Sequence, residues 1–389
     1  MTYETVADGD RRTLHALAYC LLVFLFSRAV LELIGMEAHD LLFPVTDPQL
    51  RQPEFSPFVW LNIWGNRDSG GLLGTIEHGY GTALRAGEIL MGQANWPLYP
   101  MLSKYVGVLT GLDPFAAMVS VSNAALLLAL PIIWHEARYY YGAKAADLAI
   151  LLFTFMPGSY GFSSADSGSL YLLLVMATLT LARRERWLWA GLTAALATLT
   201  RNIGVLLIIP IAVYAWQSLG AWRDPHVLSI RRFRIFIAMV LPATALAGGT
   251  VYLWRHTGDP FTLATMLDAW KRELQNPLNT LIGPILNGGT IQAEIIPGVI
   301  ISGIGVAATL LLLARRNWAH AWFMVAIVPI TLASGIPSSA RMIPSVAPAI
   351  MVAGAFFANR PRAWPVTFGI FSAANGFMMV CQVLGLDIH

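Results

Sequence analysis

Charge is scarce in this sequence. Asp, Glu, Lys and Arg make up 12% of 389 residues, about half the roughly 25% of an ordinary soluble domain. A soluble fold of this length needs far more polar side chains to cover its surface, so a water-soluble enzyme is excluded. Disorder is excluded too, because 56% of the residues are hydrophobic and disordered chains are poor in such residues. The formal net charge of +3 is too small to imply a polyanionic partner, and no nucleic acid is expected. Cysteine is nearly absent. Cys20 and Cys381 both lie in apolar runs without CxxC, CxxCH or metal spacing, so they read as buried bystanders. The motifs HExxH and GxSxG, a P-loop with Lys-Ser/Thr and an EF-hand loop are also missing. The eight histidines are scattered, and no pair has zinc spacing. Neither a metal nor a cofactor is expected. There is no internal repeat, which weakens a transporter reading.

What the chain does have is long apolar runs. A membrane helix needs about 20 apolar residues. Candidate runs fall near 14–34, 115–134, 146–160, 169–182, 187–200, 203–219, 235–254, 294–314, 319–335, 342–358 and 365–385. The expected fold is an all-α polytopic membrane bundle of about eleven spans, solvated by membrane lipid. The runs around Pro157, Gly158 and Arg201 are short and interrupted, and such breaks survive at membrane depth only when packed in protein or lining a cavity. The first run follows Arg11-Arg12 but has no small-x-small cleavage site, so it reads as an uncleaved span. Arg28 and Glu32 lie four residues apart within it.

Basic residues set orientation. With a cytoplasmic N-terminus, 15 of the 25 fall in inner segments, including the clusters at 183–186, 231–234 and 315–316, whereas 14 of the 22 acids fall outside. This places the C-terminus and two long polar segments, 35–114 and 255–293, on the extracytoplasmic side. Neither segment is large enough for a core of its own. Loops of this length are functional or disordered, and Phe58, Trp60, Trp64, Trp96 and Tyr99 argue against disorder. Short helices lying at the membrane interface are expected there.

Candidate chemistry concentrates in these segments. Asp68, in Arg67-Asp68-Ser69-Gly70-Gly71, suits a general base for a hydroxyl, or a turn or helix cap. Glu77 and His78 suit an orienting pair, or a solvated helix end before Gly79. Asn95-Trp96-Pro97-Leu98-Tyr99-Pro100 is an aromatic elbow: an interface anchor, or a platform for a sugar ring or lipid chain. Ser163 to Ser169, with Asp166 among them, open the fourth span, either capping its N-terminus or leaving its N–H groups to a phosphate. Arg201 and Arg341 stand at span boundaries, where arginine either snorkels or holds a phosphate bidentately. Arg255, His256, Lys271 and Arg272 add positive charge near Gly258-Asp259-Pro260.

The order of these motifs resembles the PIG-V-type mannosyltransferases of the GT-C superfamily. That family carries a Trp-Asp-Ser/Ala-Gly-type motif after the first span and then Glu-His-Gly-Tyr, matched here by Arg67-Asp68-Ser69-Gly70 and Glu77-His78-Gly79-Tyr80. A Pro-Leu-Tyr-Pro stretch matches at 97–100, Phe-x-Pro at 155–157, Phe-Ser at 162–163 with Leu170 closing that stretch, and Leu-Thr-Arg-x-x-Gly at 199–204. Gly-Asp-Pro at 258–260 precedes Trp270 and Arg272, and Pro-x-x-x-Arg runs from Pro337 to Arg341. Five positions depart from the pattern: Arg67 stands for Trp, Gly71-Leu72 for an aromatic or His-Tyr pair, and Asp166 and Gly168 for Tyr and Glu.

The resemblance implies a GT-C-type bundle that takes a sugar, mannose in that family, from a polyprenyl-phosphate donor on the outer face, with inversion at C1 and no metal. It implies Asp68 as base and Arg341 and Arg201 as holders of the departing phosphate. Glu77, His78, Tyr80, Trp96, Tyr99, Ser163, Asp166, Asp259 and Arg272 would shape the donor and acceptor sites. The acceptor, a lipid, glycan or protein, is open. Two rivals stand beside this reading: a flippase that binds a lipid phosphate without cleaving it, and a degenerate, non-catalytic subunit.

Overall fold

A computed structural model describes residues 3–42, 53–80, 95–219, 225–261, 275–286, 296–336, 342–343 and 347–386. Among them the regular structure is helical, with no strand. Lipid dictates this: a spanning helix satisfies its own backbone, which nothing in hydrocarbon would do for it.

Among the described residues, each expected apolar run overlaps a helix. The first is α1 (Tyr3–Leu42), which continues about two turns past the expected end at 34 because no Gly-Pro punctuation stops it before Pro44. Three short helices follow: α2 (Val59–Asn62), α3 (Arg67–His78) and α4 (Leu98–Thr110). Next come α5 (Pro114–Tyr141), α6 (Ala143–Phe155), α7 (Gly168–Arg183), α8 (Trp187–Thr200), α9 (Ile208–Leu219) and α10 (Pro225–Thr257). The chain continues as α11 (Pro277–Leu286), α12 (Ile296–Ala314), α13 (Trp318–Ala333), α14 (Pro348–Ala358) and α15 (Ala363–Val383). Among the described residues four helices, α1, α5, α10 and α15, are long and apolar enough to cross a membrane. Their outward sides expose large apolar groups such as Leu22, Phe26, Phe236 and Ile370, as lipid-facing surfaces do.

The shorter helices locate the polar centre of the bundle. With 13 residues α6 spans about 20 Å, well short of a hydrocarbon core of about 30 Å. It stops where Pro157 and Gly158 demand, with Met156 extended and Gly158 at φ +82°. A 3-10 turn, Ser159–Phe162, then leads into α7. This irregular segment is buried: Ser159, Ser163, Ser164 and Ser169 have almost no exposed surface. The neighbouring helices therefore satisfy its backbone and hydroxyls, as irregular chain at membrane depth requires. A second interruption follows α8, where Arg201 opens the 3-10 segment Asn202–Leu207. Packing of α7 against α8 brings the two breaks together, and α8 in turn packs closely on α10, where a Cβ on Gly191 would fall 2.5 Å from Ala238 Cα.

Candidate functional site

The site is built around the buried segment between α6 and α7. Arg28, inside α1, reaches into it. Its guanidinium donates to Thr154 O (2.9 Å), Ser159 O (3.0 Å) and Ser163 Oγ (3.1 Å). Ser163 Oγ donates onward to Asn123 Oδ1 at 2.8 Å. Asn375, from α15, adds a bond to Ser159 Oγ at 2.9 Å. Glu32 accepts from Trp64 Nε1 at 2.7 Å. Arg28 and Glu32 of α1 thus hold the irregular chain on one side and the loop before α3 on the other. A charge inside an apolar run was the sequence signal for Arg28, but its partners come from residues more than 120 positions away.

The helix α3 is docked onto the same segment. Asn66 caps it: its side chain accepts from Ser69 N at 2.9 Å, and Ser69 Oγ accepts from Asn66 N at 3.0 Å, a capping box. Ser69 Oγ also lies 3.0 Å from Ala165 O, and Ala165 N donates to Trp64 O at 3.0 Å. Asp68 and Asp166 therefore each adjoin one member of a hydrogen-bonded pair. Asp68 is exposed in the first turn of α3. It is neither the cap nor part of a Gly-rich turn, because Asn66 takes the capping role and Gly70, Gly71 and Gly74 are helical.

Asp166 and Arg201 form an ion pair. Arg201 Nη2 lies 3.1 and 3.2 Å from the two carboxylate oxygens, and Nε donates to Ser167 Oγ at 3.0 Å. Both side chains are largely buried, at 12% and 15% exposed. Ser167 N and Oγ also donate to the Asp166 carboxylate. The expected side-chain cap of α7 is therefore absent: Ser167 precedes the helix without a capping bond. The remaining Arg201 nitrogen, Nη1, faces the Met342 thioether at 3.0 Å, a weak acceptor. Behind Arg201 the 3-10 segment folds onto the end of α8. Gly204 makes this possible, since a Cβ there would sit 2.5 Å from Ala197 C and Thr198 N. That contact gives the glycine of Leu-Thr-Arg-x-x-Gly a steric reason.

Beside this polar centre runs an apolar groove of about 260 Å³ between α6, α12, α14 and α15. Leu152, Met156, Pro157, Ile343, Phe357 and Phe371 are among its lining residues. Met342 touches Arg201 and Ile343 lines the groove, so the two features adjoin.

The aromatic elbow differs from its expected role as a ligand platform or interface anchor. Tyr99 is fully buried; its hydroxyl lies 2.9 Å from Met118 O and 2.8 Å from Ser122 Oγ, which donates to Asp166 O at 2.9 Å. It is a strut behind Asp166. Trp96 is buried against α10, where Gly249 leaves room for its ring; a Cβ there would fall 2.2 Å from Trp96 Cζ3. Both rings are consumed by packing, because the apolar faces that favour an interface also fill helix crossings.

Glu77 and His78 stand at the exposed C-terminal end of α3, 4.0 Å apart, before Gly79 at φ +80°. Tyr80 crosses to the end of α10, edge-on to Tyr252 (5.4 Å) and near His256 (6.1 Å). Its hydroxyl is buried with no hydrogen-bond partner, and burial pushes the phenol pKa up. Asp259 turns the chain after α10 by accepting from Phe261 N at 2.8 Å. Arg272 and Arg341 lie outside the described residues. Among the described residues no group of three or more His, Cys, Asp or Glu side chains could hold a metal ion.

No protein-family model matches the chain, and no curated protein matches it. Solved structures do. ArnT from Cupriavidus metallidurans bound to undecaprenyl phosphate is similar at a TM-score of 0.55 and 15% identity, over 91% of this chain and 63% of that one. The oligosaccharyltransferase from Archaeoglobus fulgidus gives 0.47 at 14% identity, over 92% and 53%. The arabinofuranosyltransferase AftD from Mycobacteria gives 0.41 at 12%, over 93% and 27%. This chain thus spans less than two thirds of the length of these proteins. The likeness to ArnT shows that this chain shares the helical fold of that protein.

Proposed function

We propose that this chain is a membrane glycosyltransferase. It moves a sugar, mannose by its resemblance to the PIG-V type, from a polyprenyl-phosphate donor to an acceptor hydroxyl, with inversion at the sugar C1. The observation that carries this reading is the join at Met342-Ile343, where the Arg201 guanidinium meets one end of an apolar groove. A lipid phosphate has this shape: an anionic head on a hydrocarbon tail. ArnT, which shares the fold, was solved with undecaprenyl phosphate bound.

In this mechanism the arginine stabilises charge on the departing phosphate. Nη1, spent on a thioether, is the nitrogen best placed to donate to a phosphate oxygen, while Nη2 keeps Asp166. Arg341, one residue before Met342, is the second phosphate holder. Asp68 takes the proton of the acceptor hydroxyl. Its exposed position lets a large acceptor approach, while Ser69 ties it to the chain that carries Asp166. Glu77 and His78, at the far exposed end of α3, would meet the acceptor and not the donor. Tyr80 and Asp259 would border the same opening, and Arg272, outside the described residues, is kept as a donor- or acceptor-shaping residue on the resemblance alone. Asp166, one of the departures from the family pattern, supplies the carboxylate that orients Arg201. By the distribution of basic residues this end of the bundle is extracytoplasmic.

The test uses purified protein with polyprenyl-phosphate-mannose and follows release of free polyprenyl phosphate. The wild type is expected to release it by transferring the mannose to water in the absence of the acceptor, giving free mannose and polyprenyl phosphate, which a flippase or a non-catalytic subunit does not do. Asp68→Asn is expected to lower the rate by about 10²–10⁴-fold with an unchanged melting temperature. Full turnover by that variant overturns the assignment of the base.

A further inference from the structure

At the opposite end of the bundle from Asp68 lies a polar cavity that sugar transfer does not use. It has a volume of about 350 Å³ and opens between the end of α5, α9 and the turn from α12 to α13. Arg315 and Arg316 line it together with Tyr140, Tyr141, Tyr214 and Asn317, and no carboxylate lines it among the described residues. Glu136, the buried acid of α5 near this end, is gripped by Arg183 through two parallel bonds of 2.6 and 2.9 Å, so its charge is matched.

The two arginines are held at the wall. Arg315 sits over the Tyr141 ring at 5.4 Å. Arg316 has φ +56°, a conformation that side chains disfavour, and the tight turn it makes keeps both arginines beside the cavity. The hydroxyls are ordered from within. Asn317 Nδ2 donates to His320 Nδ1 at 3.0 Å, which leaves the ring proton on Nε2, 3.3 Å from Tyr214 OH. Tyr214 OH lies 2.8 Å from Tyr140 OH. With each group donating to the next, the last proton of the series belongs to Tyr140, at the cavity wall. Two guanidinium groups and a donor hydroxyl, without an acid, suit a phosphate.

The surroundings select the source of that phosphate. Trp318 lines the cavity, and Trp216 and Trp322 near it are exposed, as tryptophans are at the headgroup level of a bilayer. Basic pockets between spans on the cytoplasmic side take anionic headgroups, and the distribution of basic residues places this end in the cytoplasm. We infer that the cavity bounded by Tyr140, Tyr214, Arg315 and Arg316 binds the phosphate of an anionic phospholipid of the inner leaflet. The site lies apart from the proposed transfer site and does not depend on that reading.

The test measures lipid binding by the full chain in nanodiscs. Phosphatidylcholine discs are doped with phosphatidylglycerol, and thermal unfolding is followed by tryptophan fluorescence. Phosphatidylglycerol is expected to raise the melting temperature of the wild type. Arg315→Gln/Arg316→Gln should weaken the apparent affinity about thirtyfold, from about 1 kcal/mol for each basic residue near an anionic surface. Tyr140→Phe, which preserves the ring, should weaken it about fivefold, the value of one hydrogen bond. The double variant should melt like the wild type in pure phosphatidylcholine, and Tyr140→Phe, which takes a hydrogen-bond partner from Tyr214, should melt lower there, so each affinity is read from the shift that phosphatidylglycerol adds. Equal stabilisation of wild type and double variant by phosphatidylglycerol overturns the site. Stabilisation by inorganic phosphate at the same concentration overturns the lipid as its source.

Discussion

Replacing Arg201 by Met leaves Asp166 without its cation in a nearly closed pocket. Breaking one side of a buried ion pair costs about 3–5 kcal/mol. The lower end, about 3 kcal/mol, applies here, because Asp166 keeps two donors in Ser167 N and Oγ. Removing both charges is gentler. Arg201→Met with Asp166→Leu replaces the pair by apolar groups of similar size, and such exchanges are close to neutral. The double variant should therefore be more stable than Arg201→Met alone by about 2 kcal/mol, a coupling expected of residues in direct contact. Thermal unfolding in detergent, followed by tryptophan fluorescence, gives the order: wild type, double variant, Arg201→Met. Additive effects of Arg201→Met and Asp166→Leu would refute the ion pair as a buried, mutually dependent unit. The same variants separate stability from chemistry. If Arg201 holds the donor phosphate, the double variant stays inactive although its stability is restored. Recovery of sugar transfer by the double variant would remove Arg201 from the phosphate site.

Three further outcomes follow from the packing. Arg28→Met deprives Ser159 O and Ser163 Oγ of a charged donor, and the resulting loss of about 2–4 kcal/mol should appear in thermal unfolding; a loss below about 0.5 kcal/mol would show that the α6–α7 segment holds without it. Gly204→Val places a side chain where a Cβ already falls 2.5 Å from the α8 backbone, so it should cost about 2 kcal/mol or more and weaken donor binding as Arg201 shifts. Wild-type donor affinity in a folded Gly204→Val protein would contradict this. Tyr80→Phe removes a buried hydroxyl that has no partner, so the melting temperature should hold or rise; a loss above about 1 kcal/mol would reveal a bond to that hydroxyl.

Much of the site was legible as a set of residues and little of it as an arrangement. Ser163, Asp166 and Arg201 stood out as polar motifs at broken spans; Asp166 and Arg201 pair with each other, and Ser163 of the same segment receives Arg28. Their partners were not legible. Asp166 and Arg201 are separated by a whole helix pair, and only the fold of α7 against α8 closes that distance. Arg28 was visible as a charge in lipid, yet nothing local indicated that backbone carbonyls in the last turn of α6 and just after it would receive it. Trp96 and Tyr99 carried a signal that fits two fates, interface and core, and packing against Gly249 and Ser122 decided for the core. Glu77 and His78 behaved as their position before Gly79 suggested, as an exposed helix end.

The sequence by itself determined the solvent, the helical class, the positions of the apolar helices and the points at which they break. These properties are additive along the chain: transfer into lipid is summed residue by residue, and proline and glycine act on their own backbone. Tertiary structure alone decided which polar groups meet. It joined Asp166 to Arg201, set Ser69 against Ala165 and put the apolar groove next to Met342, all of which depend on how helices cross. In a bundle with so few charges, each must find its partner across the fold, because neither lipid nor the local chain can satisfy it.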